Sequence, residues 1–454
     1  MTRAAAVARY GRAALGIALL ALAAGCSGGD PAPSRPRIVV VLIDTLRPDH
    51  LSFHGHDAET APYLARLAEG AAVFTNAFST SCWTAPATAS VFTGLYPTQH
   101  GVVEGFFAHQ QRVDEVEGPG AASIEVTPLP AEIATLPEVL RAGGYFTFGL
   151  ATNINVGEEI GFDRGFERFE RLHTSVLGGG ATADLVAREL LGREAELRAA
   201  DPLFVYLHFN DVHRPLHPRA PWYVPHADRM DDERARYDSE IRFLDEVLAE
   251  LVPHFGWDED TYLAVLSDHG EEFMEHGAYG HKRSLHSEVN RVLLMIRGPG
   301  VRPGRIDANV ALIDLLPTLA DLARLPAPAG VAGRSLAPLL AGGAAAERAA
   351  DELRERPLFA HRSRVEDQPP LWSVTVGTWK LIQDGPRAAL FDLAADPQER
   401  RDLAAERPEL VAELRGLLQQ FKAAQREGVS VQVELDAAGV EVLKELGYAD
   451  GEDG

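Results

Sequence analysis

Arg37-Ile38-Val39-Val40-Val41-Leu42-Ile43-Asp44 is an unbroken apolar run, rich in β-branched residues, that stops at a carboxylate. Alternating polarity marks a strand with one wet face, whereas a continuous run marks a central strand covered on both faces. Two further runs share this plan. Tyr262-Leu263-Ala264-Val265-Leu266 ends at Ser267-Asp268-His269-Gly270, and Leu203-Phe204-Val205-Tyr206-Leu207-His208-Phe209 ends at Asn210-Asp211-Val212-His213. Open α/β sheets build their sites at the carboxyl ends of strands, so these polar ends are expected to converge.

Helical patterns lie between the strands at 61–70 and 136–143, each closed by Gly, and at 237–251, where Ile241, Leu244, Leu248 and Leu251 share one face. The expected fold class is α/β: a mostly parallel or mixed sheet covered by helices on both faces, with a small C-terminal α+β subdomain. In that subdomain 373–382 and 388–393 read as hairpin strands, and 408–426 and 437–446 as helices. The Gly- and Pro-interrupted stretch 110–130 reads as a surface insertion. With 454 residues the chain exceeds a usual single core. The expected division is a catalytic domain at 37–345 and a C-terminal subdomain at 346–454, with the Ala/Gly-rich stretch 341–350 as the boundary.

Residues 1–25 stand apart from the fold. Arg3, Arg9 and Arg12 precede an apolar stretch too short to span a bilayer, which is the pattern of an export signal. It ends in Leu22-Ala23-Ala24-Gly25-Cys26, which resembles a bacterial lipoprotein cleavage box with Cys26 as the lipid-bearing first residue. Residues 26–36 then form a tether. The expected location is the bacterial cell envelope, anchored by lipid on the periplasmic or outer-membrane face. Residues 1–25 hold three Arg and no acid, so the mature chain stands at −26 against −23 for the full chain. Such acidity excludes a nucleic-acid partner, because phosphate backbones select basic faces. It leaves room for an anionic substrate held by a metal and a few local cations.

In Ser81-Cys82-Trp83-Thr84-Ala85-Pro86, followed by an apolar helix to Thr93-Gly94, Thr84 takes the place of an N-cap. A hydroxyl there meets free N–H donors and the positive end of the helix dipole, surroundings that suit an oxyanion or a bound anion. A plain capping threonine gives the same pattern. Asp44, Asp268 and His269 are oxygen and nitrogen donors fit for a divalent cation, and a metal touching Thr84 lowers the pKa of its hydroxyl.

The order of these segments resembles the sulfatase family of the alkaline phosphatase superfamily. It begins with 40–47 and 60–70, then Pro86 through Gly94 with Tyr96-Pro97 and His100-Gly101. Gly161-Phe162-Asp163-Arg164-Gly165-Phe166, Asp211-Val212-His213-Arg214-Pro215, Ser267-Asp268-His269-Gly270-Glu271 and Glu275-His276-Gly277 follow. Arg291-Val292, Ile296-Arg297-Gly298-Pro299-Gly300, Asp314-Leu315-Leu316-Pro317-Thr318-Leu319, 377–382 and 390–397 complete it. The resemblance implies a metal-dependent hydrolase of sulfate or phosphate esters on a small molecule or glycan. It assigns Asp44, Thr84, Asp268 and His269 to one divalent cation (Ca²⁺, Mg²⁺ or Mn²⁺, with Zn²⁺ also compatible), Thr84 to the nucleophile, and His213 and His281 to the ester.

The chain departs from that family where the chemistry is decided. Sulfatases oxidise a cysteine or serine followed by x-Pro-x-Arg to formylglycine. Here Thr84 fills the slot and Thr88 stands in the arginine's place, and oxidising a secondary alcohol gives a ketone. Thr45 replaces the second aspartate of the usual pair. The set Asp44, Thr84, Asp268 and His269 is similar to the one-metal site of phosphoglycerol and phosphoethanolamine transferases, which implies an alternative chemistry through a covalent phosphothreonine. Two other readings are a two-metal phosphodiesterase using Asp211, His213, His217 or His281, and a non-catalytic lipoprotein that binds anionic glycans.

Overall fold

The computed structural model describes residues 35–106, 122–172, 182–365 and 368–435 except 425 and 427, together with Ala437 and Val440. The expected signal, Cys26, most of the tether and nearly all of the 437–446 helix lie outside them.

The sheet forms as its opening strand predicts. Eight strands lie in the order Gly304–Ala311, Ala72–Phe78, Leu294–Arg297, Thr261–Ser267, Arg37–Ile43, Leu203–Phe209, Phe146–Ala151 and Arg168–Arg171. All run parallel except Leu294–Arg297, which is antiparallel to both neighbours. Arg37–Ile43 sits centrally, and its apolar run serves two cores. Ile38, Val40 and Leu42 face one cluster with Val91, Phe92 and Leu319, while Val39, Val41 and Ile43 face another with Ile241, Leu244 and Leu248. Burying alternate side chains on both faces is the physical reason the run shows no polar alternation. The fold is thus the mixed α/β sheet that the strand run implies, flanked by helices.

The helix expected at 237–251 is longer, Arg229–His254. Its extra turns are polar. The Asp228 carboxylate accepts from Met230 N and Asp231 N at 2.9 and 3.1 Å, and Asp232 pairs with Arg236 at 2.8 Å. Caps and i,i+4 ion pairs hold those turns, so no apolar period marks them. Near the C-terminus a separate antiparallel sheet forms from Leu358–Arg362, Leu371–Val376, Trp379–Asp384 and Arg387–Asp392. This corrects the hairpin reading: the stretch 373–382 is two strands folded back at Gly377-Thr378. The helix Pro408–Ala423 packs Leu414 and Leu418 onto this sheet. Of the expected insertion, Ala122–Val126 is a strand paired with Val431–Leu435 near the chain's end. Among the described residues no helix is long and apolar enough to cross a membrane.

Candidate active site

Strand register explains why the polar ends meet. Leu42 pairs with His208 on one side and Leu266 on the other. Side chains two residues apart share a face, so Asp44, His208 and Asp268 all point toward the side that carries the helix Thr84–Thr93. That helix is buried along its whole length, and its small residues Ala85, Ala87 and Ala89 allow close approach to the sheet. Its N-cap is Trp83, with Thr84 at the first helical position. The N-cap reading of Thr84 is therefore off by one residue: the chain turns into the helix at Trp83, and the Thr84 hydroxyl is left to face the strand ends.

There Thr84 Oγ1 lies 3.4 Å from Asp44 Oδ2 and 3.4 Å from His269 Nε2. His269 Nε2 is 3.4 Å from Asp268 Oδ2 and 3.7 Å from Asp44 Oδ1. The ring of His269 is turned by its Nδ1, which donates to Gly270 O at 3.0 Å. Asp268 Oδ1 accepts from Thr45 N and His269 N at 3.2 and 2.8 Å, leaving Oδ2 toward the cluster. The residue after His269 must be Gly, because a Cβ on Gly270 would stand 2.0 Å from Glu288 O.

His281 packs on His269 with ring centroids 4.5 Å apart, and His213 Nε2 is 3.2 Å from His281 Nε2. His213 Nδ1 lies 2.6 Å from Arg214 O, and His281 Nδ1 lies 2.9 Å from Cys82 O. Carbonyls only accept, so both Nδ1 atoms carry hydrogen, and the two Nε2 atoms confront each other with lone pairs unless one holds a proton. Burial pushes the His213 imidazole down to about 3 and His281 well below its ordinary value. The six side chains expected at the site are thus brought together.

Two residues complete the cluster that the sequence reading did not assign. Asn153 Nδ2 donates to Asp44 Oδ2 at 2.7 Å and to Asn210 Oδ1 at 3.0 Å. His208 Nε2 is 3.5 Å from Asp44 Oδ2, and neither of its ring nitrogens has a hydrogen-bond partner. A histidine inside an otherwise apolar strand, two residues before Asn210, was the available signal for it. The Thr45 side chain turns away from the cluster, its hydroxyl donating to Val212 O at 3.0 Å. Asp211 and His217 also fall outside it. Asp211 Oδ1 accepts from Ala183 N at 2.9 Å, and His217 sits by Glu240, so the second-metal set drawn from them does not assemble.

Asp44, His208 and Asp268 each place a donor atom within 4.8 Å of the others. Asp44 Oδ1 and Asp268 Oδ2 are buried with no hydrogen-bond partner. Burial and the charge of Asp268 raise Asp44 well above the carboxylate range, and burial raises Asp268 to about 7. Unpartnered carboxylates and imidazole in a dry site fit a divalent cation, whose charge offsets the cost of keeping them ionised.

A hydroxyl at a helix start faces buried acids and imidazoles at the ends of parallel strands, an arrangement chemically suited to cleaving an ester. A model of the sulfatase family matches residues 36–325. One of the C-terminal part of N-sulphoglucosamine sulphohydrolase matches 274–425. The chain belongs to the sulfatase family. Arylsulfatase K from Gallus gallus is 33% identical over 199 residues, an alignment that spans 41% of this chain and only 36% of that relative. Arylsulfatase A from Homo sapiens is 27% identical over 452 residues, spanning 87% of this chain and 84% of that one. A phosphonate monoester hydrolase structure from Silicibacter pomeroyi superposes with a TM-score of 0.66 at 19% identity, covering 85% of this chain and 94% of that one.

Proposed function

We propose that the protein hydrolyses a sulfate ester of a small molecule or glycan, with the unmodified Thr84 hydroxyl as nucleophile. The observation that carries this reading is the place of Thr84 Oγ1, 3.4 Å from both Asp44 Oδ2 and His269 Nε2. Asp44, Asp268 and His269, with His208 beside them, would hold one divalent cation. Such an ion supplies the positive charge that makes a hydroxyl acidic and steadies anionic ester oxygens.

The chain's own groups account for the rest. Thr84 passes its proton to the neutral His213–His281 pair, and Oγ1 attacks sulfur as the bond from sulfur to the alcohol oxygen breaks. That pair, whose facing Nε2 atoms hold the proton between them once it is supplied, returns it to the departing oxygen. Water then cleaves the threonine ester, releasing sulfate and restoring the hydroxyl. Phosphate transfer through phosphothreonine follows the same geometry, and the threonine itself favours keeping that second reading, since it is the unmodified alcohol such chemistry uses.

A matched assay of aryl sulfate, phosphate monoester and phosphodiester, with metal content measured alongside, separates the two. Thr84→Ser should retain turnover, while Thr84→Ala should lose on the order of 10³-fold or more. An unchanged rate in Thr84→Ala, or a purified protein that takes up no divalent metal, rejects the mechanism. Binding of anionic glycan that ignores chelator, with no turnover of any ester, would instead support the non-catalytic reading. We also propose export and lipid attachment at Cys26; a Cys26→Ser protein that still partitions with membranes would refute it.

A further inference from the structure

The segment between Glu272 and Glu288 leaves the sheet, carries His281 to the Thr84 cluster and returns, so that its two ends meet. At that junction the rings of His276 and His286 stack with centroids 3.7 Å apart and planes 6° from parallel. Glu272 Oε1 accepts from His276 N and Ala278 N, both at 2.9 Å, which sets its other oxygen beside the same turn. Three donor atoms here are buried with no hydrogen-bond partner: His276 Nε2, Glu288 Oε2 and Glu272 Oε2. Glu288 is 7% exposed and Glu272 0%.

The decisive distance is 3.4 Å between His276 Nε2 and Glu288 Oε2. A charge-assisted N–H···O bond closes to about 2.7–2.9 Å. Two ligands on a tetrahedral ion with bonds near 2.0–2.1 Å stand roughly 3.3 Å apart, which is the spacing seen. His276, His286 and Glu399 also place donor atoms within 4.8 Å of one another. Glu399 is engaged already: Oε1 meets Ser287 Oγ at 2.9 Å and Lys380 Nζ at 2.8 Å, and Oε2 meets Ser287 N at 2.9 Å and His286 Nδ1 at 2.8 Å. Its role is therefore outer. By accepting the His286 Nδ1 hydrogen it fixes the ring that stacks on His276. Glu272, His276 and His286 also line a cavity of about 370 Å³ that gives solvent and ions a way in.

We propose that His276 Nε2 and Glu288 Oε2 bind a divalent transition-metal ion, with Glu272 as third donor and water completing the shell, apart from the Asp44–Asp268 cluster. Mixed imidazole and carboxylate donors suit Zn²⁺ best among the common ions. Binding forms only coordinate bonds and displaces any proton on His276. Its consequence is mechanical: the ion clasps both ends of the loop that holds His281 against Cys82 O.

Protein stripped with chelator and titrated with Zn²⁺ under calorimetry tests this. Wild type is expected to take up about two equivalents. Asp44→Asn/Asp268→Asn should keep one and gain melting temperature with Zn²⁺, whereas His276→Ala/Glu288→Gln should lose one equivalent. Circular dichroism checks that each variant folds, and the wild-type count stands if one does not. Uptake of a single equivalent by wild type, or none by Asp44→Asn/Asp268→Asn, overturns the proposal and leaves an ion pair of protonated His276. Equal uptake by wild type and His276→Ala/Glu288→Gln overturns it as well.

Discussion

Asn153 governs how Asp44 faces the cluster, because its amide donates to Asp44 Oδ2 at 2.7 Å, well inside the 3.4 Å of the Thr84 hydroxyl. Residues that orient a ligand from behind commonly cost 10–100-fold in metal affinity or rate when removed. Asn153→Ala is expected to fall in about that range with little loss of stability, read from kcat and a metal titration. Thr45 sits at φ 56, a conformation costly for a β-branched residue, and donates its hydroxyl to Val212 O. Thr45→Val keeps the strain and strands a buried carbonyl, so it should cost about 1–2 kcal/mol in urea unfolding. Thr45→Asn, which tolerates that φ, should lose less. At this scale the legible residues were those that end apolar runs: Asp44, Asp268, His269 and His213. His208 was hidden because it lies inside its run, and only register with Leu42 places it under Asp44. Asn153 was hidden because its role depends on which strand lies beside Leu203–Phe209, and pairing order is not written in any one segment.

The helix Thr84–Thr93 is the element that aims the nucleophile, and both of its ends are constrained. Gly94 closes it at φ 67, and a Cβ there would lie 3.3 Å from Ile313 O and from Val331 Cβ. Gly94→Ala should cost about 1–2 kcal/mol, from the left-handed backbone before any crowding is counted. A drop in urea midpoint with unchanged KM would place the effect on the helix and not on the site. The helix Arg229–His254 offers the contrasting case. Asp228→Ala removes its cap far from the cluster and should cost about 1 kcal/mol with turnover unaltered. Elements with apolar periods were readable from the chain alone. Those held by polar contacts were not, as the first turns of Arg229–His254 show. The break at Gly377-Thr378 was missed for a related reason: the residues on both sides are apolar, and a single tight turn leaves the pattern unbroken.

A buried carboxylate is one of the ties between the small C-terminal sheet and the catalytic part. Glu399 pairs with Lys380 Nζ at 2.8 Å, both side chains wholly buried, and its oxygens also hold Ser287 N, Ser287 Oγ and His286 Nδ1. Burial alone would raise its pKa, but the Lys380 ammonium and His286 outweigh that and bring it from 4.5 down to about 2. A depressed folded-state pKa stabilises the fold above the unfolded value and loses that contribution as pH falls. The window is therefore from 4.5 down to about 2. Within it wild type should lose stability steeply, while Glu399→Gln, already weakened at neutral pH, should show a flatter acid limb. Breaking a buried pair leaves the other charge uncompensated, so the neutral-pH loss in Glu399→Gln is expected to be about 3–5 kcal/mol. Urea unfolding of both proteins at pH 7 and near pH 2.5 checks this. The two stabilities should converge at low pH, because protonating Glu399 does to wild type what the substitution does at every pH. Parallel curves across that range would show that the staple between the small sheet and the His281 loop rests on contacts other than this charge.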